Sequence, residues 1–320
     1  MKMKNKTYCI RTIFCILFYV IFMLPGAAFG EETVQILATS FPAYDFARQI
    51  VGNDAKVRLL LPPGSESHSY EPTPQDMIAI QNADLFLITG GESEHWVMGI
   101  LAAMDEKAPQ IFAMMDCVTA LADEKSQSMQ EDVRTPKESH THTEVEFDEH
   151  VWTSPKNAKL IVSEMVKVLS EIKPASAKTY QLNSQEYLKK LDVLDKAIED
   201  IVKNGKRQKM IFGDRFPFRY FAHDYGIAYD AAFPGCSEDS EPNAQTIISL
   251  IREIREEKIP VVFYIEFSNR KTADILAEET DAKLLLMHSC HNITYKEMDE
   301  GATYFSLMWK NTEALKEALE

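Results

Sequence analysis

The chain has 320 residues, of which 45% are hydrophobic, and it carries 34 basic against 49 acidic residues, a formal net charge of −15. A balance this acidic argues against nucleic-acid binding, which requires a basic surface. The length suffices for one large or two ordinary globular domains.

Residues 1–30 have the pattern of an export signal peptide. Basic residues precede the apolar run Thr12–Leu24, and Ala28-Phe-Gly30 offers the small residues that a signal peptidase reads. We expect cleavage after Gly30 without lipid attachment, an uncleaved anchor being the alternative. The mature chain would then hold 30 basic and 49 acidic residues, a charge of −19. It would be exported, periplasmic or extracellular, and associated with the cell surface.

Short apolar runs alternate with amphipathic segments along the first half, residues 31–173, which is typical of parallel α/β units. Helices are predicted near Pro42, Pro74 and Glu94; the two prolines suit the first turn of a helix, where a missing amide hydrogen costs nothing. The predicted strands are Val34–Ala38, Lys56–Leu61, Leu85–Thr89 and Gln110–Met114.

The segment from Asp123 to Glu146 breaks this rhythm. It is polar and acidic, and it contains His140 and His142. With few large apolar groups to bury, it is predicted to be a mobile loop. Its histidines would either hold metal loosely or be solvated.

Residues 174–205 carry the longest helical pattern, since one apolar stripe recurs at spacings of three, four and seven. We interpret this helix as a rigid link between two lobes; the alternative is a surface helix on a single domain. The stripe comprises Tyr180, Tyr187, Leu191, Leu194, Ile198 and Ile201.

The second half, residues 206–320, repeats the α/β rhythm. Helices are predicted near Phe218, Pro242 and Asn269, and a closing helix begins near Tyr304. The predicted strands are Lys209–Phe212, Ala228–Ala232, Val261–Glu266 and Lys283–Met287.

Four candidate metal ligands follow apolar runs or precede a helix start: His68, His150, Asp214 and His288. His68 lies in a loop rich in proline, and His150 precedes a helix that Ser154 caps. Because ligands of open α/β sheets gather at the carboxyl ends of strands, these side chains could meet in one cleft.

Three imidazoles and one carboxylate would satisfy tetrahedral Zn(II). His291 is close enough to His288 to compete with it. Asp214 could instead cap a helix or pair with Arg215, and Glu266 could take its place. Coordination by both Asp214 and Glu266 would favour Mn(II).

Two loops resemble those of the metal-binding solute-binding proteins of ABC importers, the ZnuA-like zinc/manganese family. They are His68-Ser-Tyr-Glu-Pro-Thr-Pro74 and Asp148-Glu-His150-Val-Trp-Thr-Ser-Pro155, and the resemblance covers residues 31–320. It implies an α/β fold of two lobes, each with a four-stranded, mainly parallel sheet flanked by helices, bridged by one long rigid helix. One metal ion would lie between the lobes for delivery to an ABC permease.

The chain departs from this family at two places. Where members commonly carry a third histidine before a short aromatic segment, Asp214 and Arg215 stand here; where members carry an acidic residue after the last strand, His288-Ser-Cys-His291 stands here. The family also offers a parallel for a disulfide in the second lobe, with Cys236 and Cys290 as the pair. Unpaired thiols, or Cys290 as a soft metal ligand, are the alternatives.

These observations predict a non-catalytic, monomeric extracytoplasmic receptor that captures Zn(II) for an ABC permease. A manganese receptor of the same type is the alternative. A secreted zinc hydrolase with Glu71 or Glu266 as general base is disfavoured because no His-Glu-x-x-His helix is present. An adhesin with a structural metal is the remaining alternative.

Overall fold

A computed structural model describes residues 33–66, 70–104, 108–123, 146–233 and 242–320. Several predictions from the sequence lie outside these ranges. They concern the export signal, His68, Cys236, and the part of the predicted loop that contains His140 and His142.

The first half folds into a four-stranded sheet of order β2-β1-β3-β4, in which each neighbouring pair is parallel. Each of its four predicted strands is confirmed to within two residues. The elements are β1 (Gln35–Ala38), α1 (Phe41–Val51), β2 (Lys56–Leu59), α2 (Pro74–Gln81), β3 (Leu85–Ile88), α3 (His95–Ala102) and β4 (Gln110–Ala113).

Two long helices follow, α4 (Pro155–Ile172) and α5 (Ala177–Asn204). Ser154 caps α4 as predicted, because its hydroxyl accepts hydrogen bonds from the backbone N–H groups of the first turn. A short 3-10 turn, Pro174–Ser176, leads into α5. The 28 residues of α5 span roughly 42 Å at ~1.5 Å per residue. The predicted linking helix is thereby confirmed.

The second half repeats the architecture with a parallel sheet of order β6-β5-β7-β8. Its four predicted strands are also confirmed to within two residues. The elements are β5 (Lys209–Phe212), α6 (Arg219–Tyr225), β6 (Ala228–Ala231), α7 (Ala244–Glu257), β7 (Val261–Tyr264), α8 (Lys271–Thr280), β8 (Lys283–Leu286), α9 (Tyr295–Asp299) and α10 (Tyr304–Leu319).

One hydrophobic core serves both sheets. It joins residues from the first sheet, such as Ile36, to Phe212 and Phe263 of the second through the buried stripe of α5. The opposite face of each sheet has its own smaller cluster, around Phe86 in the first half and Val262 in the second. Because the central core is continuous, Val34–Glu320 forms one compact unit that contains both sheets.

Within the described part of the chain, every helix is too short or too polar to cross a membrane.

The contribution of α5 to stability can be measured by comparing two leucines on the same helix. Leu191 is fully buried, whereas Leu182 is 54% exposed. Leu191→Ala removes buried methyl groups and leaves a cavity, which costs ~2–5 kcal/mol. Thermal unfolding should therefore show a melting temperature lower by roughly 5–15 °C. Leu182→Ala, the matched control, should change it by less than about 2 °C. Equal effects of the two substitutions would contradict a core that runs along this helix.

Candidate metal centre

A pocket lies where loops from the two sheets meet. Its loops follow β2, β5, β7 and β8, at the carboxyl ends of these strands, where ligands of open α/β sheets bind. The cavity volume is about 20 Å³, which is enough for about one water molecule or ion. The lining residues are Ser65, Glu66, His150, Arg215, Pro217, Ile265, Glu266, Phe267, Ser289, His291 and Asn292.

His150 lies on the pocket wall and is held by Asp148. The residue is 3% exposed. Asp148 Oδ1 accepts a hydrogen bond from the His150 backbone N–H at 2.8 Å and lies 3.1 Å from His150 Nδ1. A carboxylate beside Nδ1 favours the tautomer with the proton on that nitrogen, so that Nε2 keeps the lone pair that a metal requires.

His291 is the second imidazole of the pocket. Its ring centroid lies 5.5 Å from that of His150, with the two rings nearly perpendicular at 85°. It also lies 4.8 Å from the ring of the buried Trp152. The loop after β8 and the loop before α4 thus bring two histidines from different halves of the chain to one place.

His288, the ligand predicted after the last strand, is not among the residues that line the pocket. It is 3% exposed, and its Nδ1 accepts a hydrogen bond from the Cys290 backbone N–H at 2.9 Å. Asn311 bonds both the N–H and the C=O of the His288 backbone at 2.8 Å. These contacts give His288 a role in shaping the loop that carries His291.

Asp214 also has a structural role, because both of its oxygens accept backbone hydrogen bonds. Its Oδ1 accepts the N–H of Arg215 at 2.8 Å, and its Oδ2 accepts the N–H of Ile265 at 3.2 Å. The side chain therefore joins the loops after β5 and β7. Of the four predicted ligands, His150 lines the described pocket, Asp214 and His288 are not among its lining residues, and His68 is outside the described residues.

Glu266, the predicted alternative to Asp214, lies on the pocket wall but is engaged with Ser289. Its Oε2 accepts the Ser289 N–H at 2.7 Å, and its Oε1 accepts the Ser289 hydroxyl at 2.5 Å. Both oxygens thus hold the loop between His288 and His291. The carboxylate contributes negative charge to the pocket while its hydrogen bonds fix the backbone.

Glu66 is a pocket residue that the reasoning from sequence missed. Arg215 Nη2 donates to Glu66 Oε2 at 3.1 Å, so the pair links the loop after β2 to the loop after β5. The sequence held one signal for Glu66, since it stands two residues before His68 in the same loop. Arg215 pairs with Glu66 in place of the Asp214 side chain.

Two carboxylates with raised pKa values lie near the His150 loop, the half-buried Glu94 and the buried Glu149. Burial raises the pKa of Glu94 to about 7, although the backbone N–H of Gly90 donates to this carboxylate at 2.8 Å. Burial also raises the pKa of Glu149, whose Oε2 accepts the hydroxyl of Ser93 at 2.6 Å. Burial disfavours the charged form of both carboxyl groups, so each of them loses its proton at a higher pH than an exposed glutamate does.

The loop that carries His291 is tightly fixed to the first half. Trp152 Nε1 donates to the Ser289 carbonyl at 2.8 Å, and the Phe41 N–H donates to the His291 carbonyl at 3.1 Å. Cys290 has a φ of +64°, in the left-handed region. This conformation is energetically unfavourable for residues other than glycine. Surrounding hydrogen bonds hold this strained residue immediately before His291.

The disulfide predicted for this loop would join Cys290 to a residue that the structure does not describe. Cys290 is a buried free thiol, and burial raises its pKa well above the usual value. Cys236, its predicted partner, lies outside the described residues. The Cys236–Cys290 bridge stays a prediction.

In the part of the chain that the structure describes, no cluster of three or more His, Cys, Asp or Glu side chains is arranged to hold a metal ion. The described pocket supplies two imidazoles at ring contact and two carboxylates, and both carboxylates are engaged with neighbouring groups. A complete ligand set at this place would therefore require a movement of side chains, or a ligand from outside the described residues.

Replacing Asn311 tests whether His288 acts through the backbone of this loop. Asn311→Ala leaves the buried N–H and C=O of His288 without their partner, at a cost of about 2–4 kcal/mol. The melting temperature should fall by roughly 5–15 °C, and amide exchange across 289–293 should accelerate. Asn204→Ala, at the exposed end of α5, is the control and should change neither. Unchanged exchange in Asn311→Ala would show that the loop is held by other contacts.

Comparison with known proteins identifies the fold. The model of the ZnuA family, described as zinc-uptake complex component A, periplasmic, matches residues 36–318. The crystal structure of the Zn(II)-bound ZnuA-like domain of AdcA from Streptococcus pneumoniae is 28% identical, with a TM-score of 0.74 over 90% of this chain and 99% of that chain.

Two curated relatives agree with the family match. The zinc-binding lipoprotein AdcA of S. pneumoniae is 32% identical over 96% of this chain, but this chain spans only 59% of that protein's length. The high-affinity zinc uptake system protein ZnuA of Bacillus subtilis is 31% identical over 90% of this chain and 88% of that protein. With two parallel four-stranded sheets, a long bridging helix and a family match over 36–318, the chain belongs to the ZnuA family of metal-binding solute-binding proteins.

Proposed function

We propose that this chain is an extracytoplasmic receptor that captures Zn(II) in the pocket between its two sheets and delivers it to an ABC permease. The observation that carries the proposal is the pair His150 and His291, two imidazoles from different halves of the chain with ring centroids 5.5 Å apart on one pocket wall. Imidazole nitrogen is a preferred ligand of zinc.

The proposed ligands are His150, His291, His68 and Glu66. His150 and Glu66 reach the pocket from the first half, and His291 reaches it from the second. His68 enters from the sequence, because it follows Glu66 in the same loop. His291 takes the place that the sequence assigned to His288, because His291 lines the pocket and His288 does not. His288 Nδ1 also accepts the Cys290 N–H, which places the proton of the neutral ring on Nε2.

Glu66 is preferred to Asp214 and Glu266 as the carboxylate ligand. Both oxygens of Asp214 accept backbone N–H groups, and both oxygens of Glu266 accept hydrogen bonds from Ser289. These hydrogen bonds hold the pocket loops, which gives both carboxylates a structural role. Glu66 pairs with the Arg215 side chain, so the carboxylate does not hold a backbone group through this contact.

Three imidazoles and one carboxylate favour zinc over manganese, because manganese prefers oxygen-rich sites. Four protein ligands also close a tetrahedral zinc site, so no coordination position is left for an activated water. We therefore infer a carrier and no hydrolytic activity. Zinc is the cargo of this protein, bound reversibly.

The curated relatives support the setting of the proposal. One is named a zinc-binding lipoprotein, and another is named a component of a high-affinity zinc uptake system. An exported, monomeric receptor that meets an ABC permease outside the cytoplasm fits those names. It also fits the export signal predicted at residues 1–30.

Thermal unfolding with and without zinc tests the proposed site. A metal that binds only the folded state adds RT ln(1 + [L]/Kd), about 4 kcal/mol at a thousandfold excess over Kd. Zinc should therefore raise the melting temperature by about 10 °C. His150→Ala and His291→Ala should each abolish most of this shift, since each removes a ligand. Manganese should give a much smaller shift.

Exposed histidines provide matched controls. The side chains of His95 and His223 are 70% and 64% exposed and lie outside the pocket, so their replacement by alanine should preserve the zinc shift. His288→Ala should lower the melting temperature of the protein without zinc and keep most of the zinc shift. A full zinc shift in the His150→Ala, His291→Ala double variant would refute the proposed site.

A further inference from the structure

The pocket contains a positively charged side chain as well as candidate ligands for a cation. Arg215 lies on the wall together with His150, His291 and Glu66. A fixed cation in a site meant for a divalent cation opposes binding by Coulomb repulsion, unless its charge is neutralised or moved. Glu66 supplies the neutralising charge, with Arg215 Nη2 at 3.1 Å from Glu66 Oε2.

We propose that Arg215 is an affinity- and selectivity-determining residue, which holds Glu66 until a divalent cation displaces it. The Arg215 guanidinium and the metal compete for the Glu66 carboxylate, which binds one of them at a time. The proposal rests on the function proposed above and adds a competitor for one of its ligands. Binding then involves an exchange of cations at one carboxylate.

The backbones on both sides of the pair are anchored, so we place the exchange in the side chains. Next to Glu66, the carbonyl of Ser65 accepts a hydrogen bond from Asn292 Nδ2 at 2.9 Å. Arg215 is held by its own N–H, which donates to Asp214 Oδ1 at 2.8 Å. The two loops can therefore stay in place while the carboxylate changes partner.

The exposure of the pair makes it a weak competitor. The side chains of Arg215 and Glu66 are 21% and 37% exposed. Ion pairs with this much solvent contribute little, so a metal that also gains imidazole ligands can displace the guanidinium. A metal that binds imidazole poorly depends more on the carboxylate and is hindered more by Arg215. The pair thus lowers affinity in general and disfavours oxygen-seeking cations in particular.

The return of Glu66 to Arg215 also favours release of the metal. When the carboxylate leaves the metal, it regains a charged partner on the pocket wall, which lowers the cost of the separated state. A carrier must release its cargo as well as bind it. Competition by Arg215 for Glu66 favours release of the metal and leaves the histidine ligands unchanged.

Metal affinities of the full mature chain test the proposal. Zn(II) and Mn(II) dissociation constants would be measured by competition with a chromophoric chelator for the natural protein, Arg215→Gln and Glu66→Gln. Arg215→Gln should bind zinc about two- to fivefold more tightly, the range expected for loss of one partly exposed ion pair. The gain for manganese should be larger than the gain for zinc. Glu66→Gln should bind zinc more weakly.

Two further variants make the result specific to the pair. Arg252→Gln removes the same charge from an exposed position on α7 and should leave both affinities within about twofold. Arg215→Lys keeps the charge and loses the planar guanidinium, and it should lie between the natural protein and Arg215→Gln. This variant also keeps the test decisive if Arg215→Gln does not fold.

The outcomes distinguish a failure of this inference from a failure of the proposed function on which it rests. If the natural protein does not bind zinc, the proposed function fails. If it binds zinc and Arg215→Gln binds zinc equally or more weakly, Arg215 positions Glu66 and does not compete for it, and the present inference alone is overturned. A manganese gain smaller than the zinc gain would overturn the role in selectivity.

Discussion

The arrangement of the pocket depends on hydrogen bonds that join residues 289–293 to the first half of the chain. Asn292 Nδ2 donates to the carbonyl of Pro62 at 2.8 Å, and the Ile293 carbonyl accepts the N–H of Gly64 at 2.8 Å. Trp152 donates to the Ser289 carbonyl from the other side. One short loop of the second half is thus fixed to both loops of the first half that reach the pocket.

Carboxylates near the pocket divide between structural and chemical roles. Asp148 orients His150, Asp214 joins two loops, and Glu266 holds Ser289. Hydrogen bonds to these three carboxylates fix the loops around the pocket, so each of them supports the site. Glu66 differs because its partner is a flexible side chain. This difference explains why the proposed exchange involves Glu66 and Arg215.

The continuous core limits how far the two halves can move relative to one another. Helix α5 presents Tyr187, Leu194 and Ile198 to the core that both sheets share. A hinge motion would have to break packing along a helix of roughly 42 Å. Rearrangements on metal binding are therefore expected mainly in side chains at the pocket, such as the rotation of Glu66 from Arg215.

The local sequence was sufficient to predict the elements. The bounds of β5 and the start of α4 at Pro155 were predicted, because runs of buried apolar residues, proline at helix starts and the cap at Ser154 are local signals. The linking helix followed from its apolar stripe. These features determined the α/β architecture, and the two motif loops indicated the metal-binding family.

Which residues share the pocket was decided by tertiary structure. His288 and His291 stand three residues apart after the same strand, and sequence gives no reason to choose between them. Asn311 holds the His288 backbone and Cys290 bonds the His288 ring, while His291 lines the pocket. Likewise Arg215 meets Glu66, 149 positions away, and not the neighbouring Asp214 side chain. Side-chain direction and long-range pairing depend on contacts made only after the sheets pack, and local sequence does not encode them.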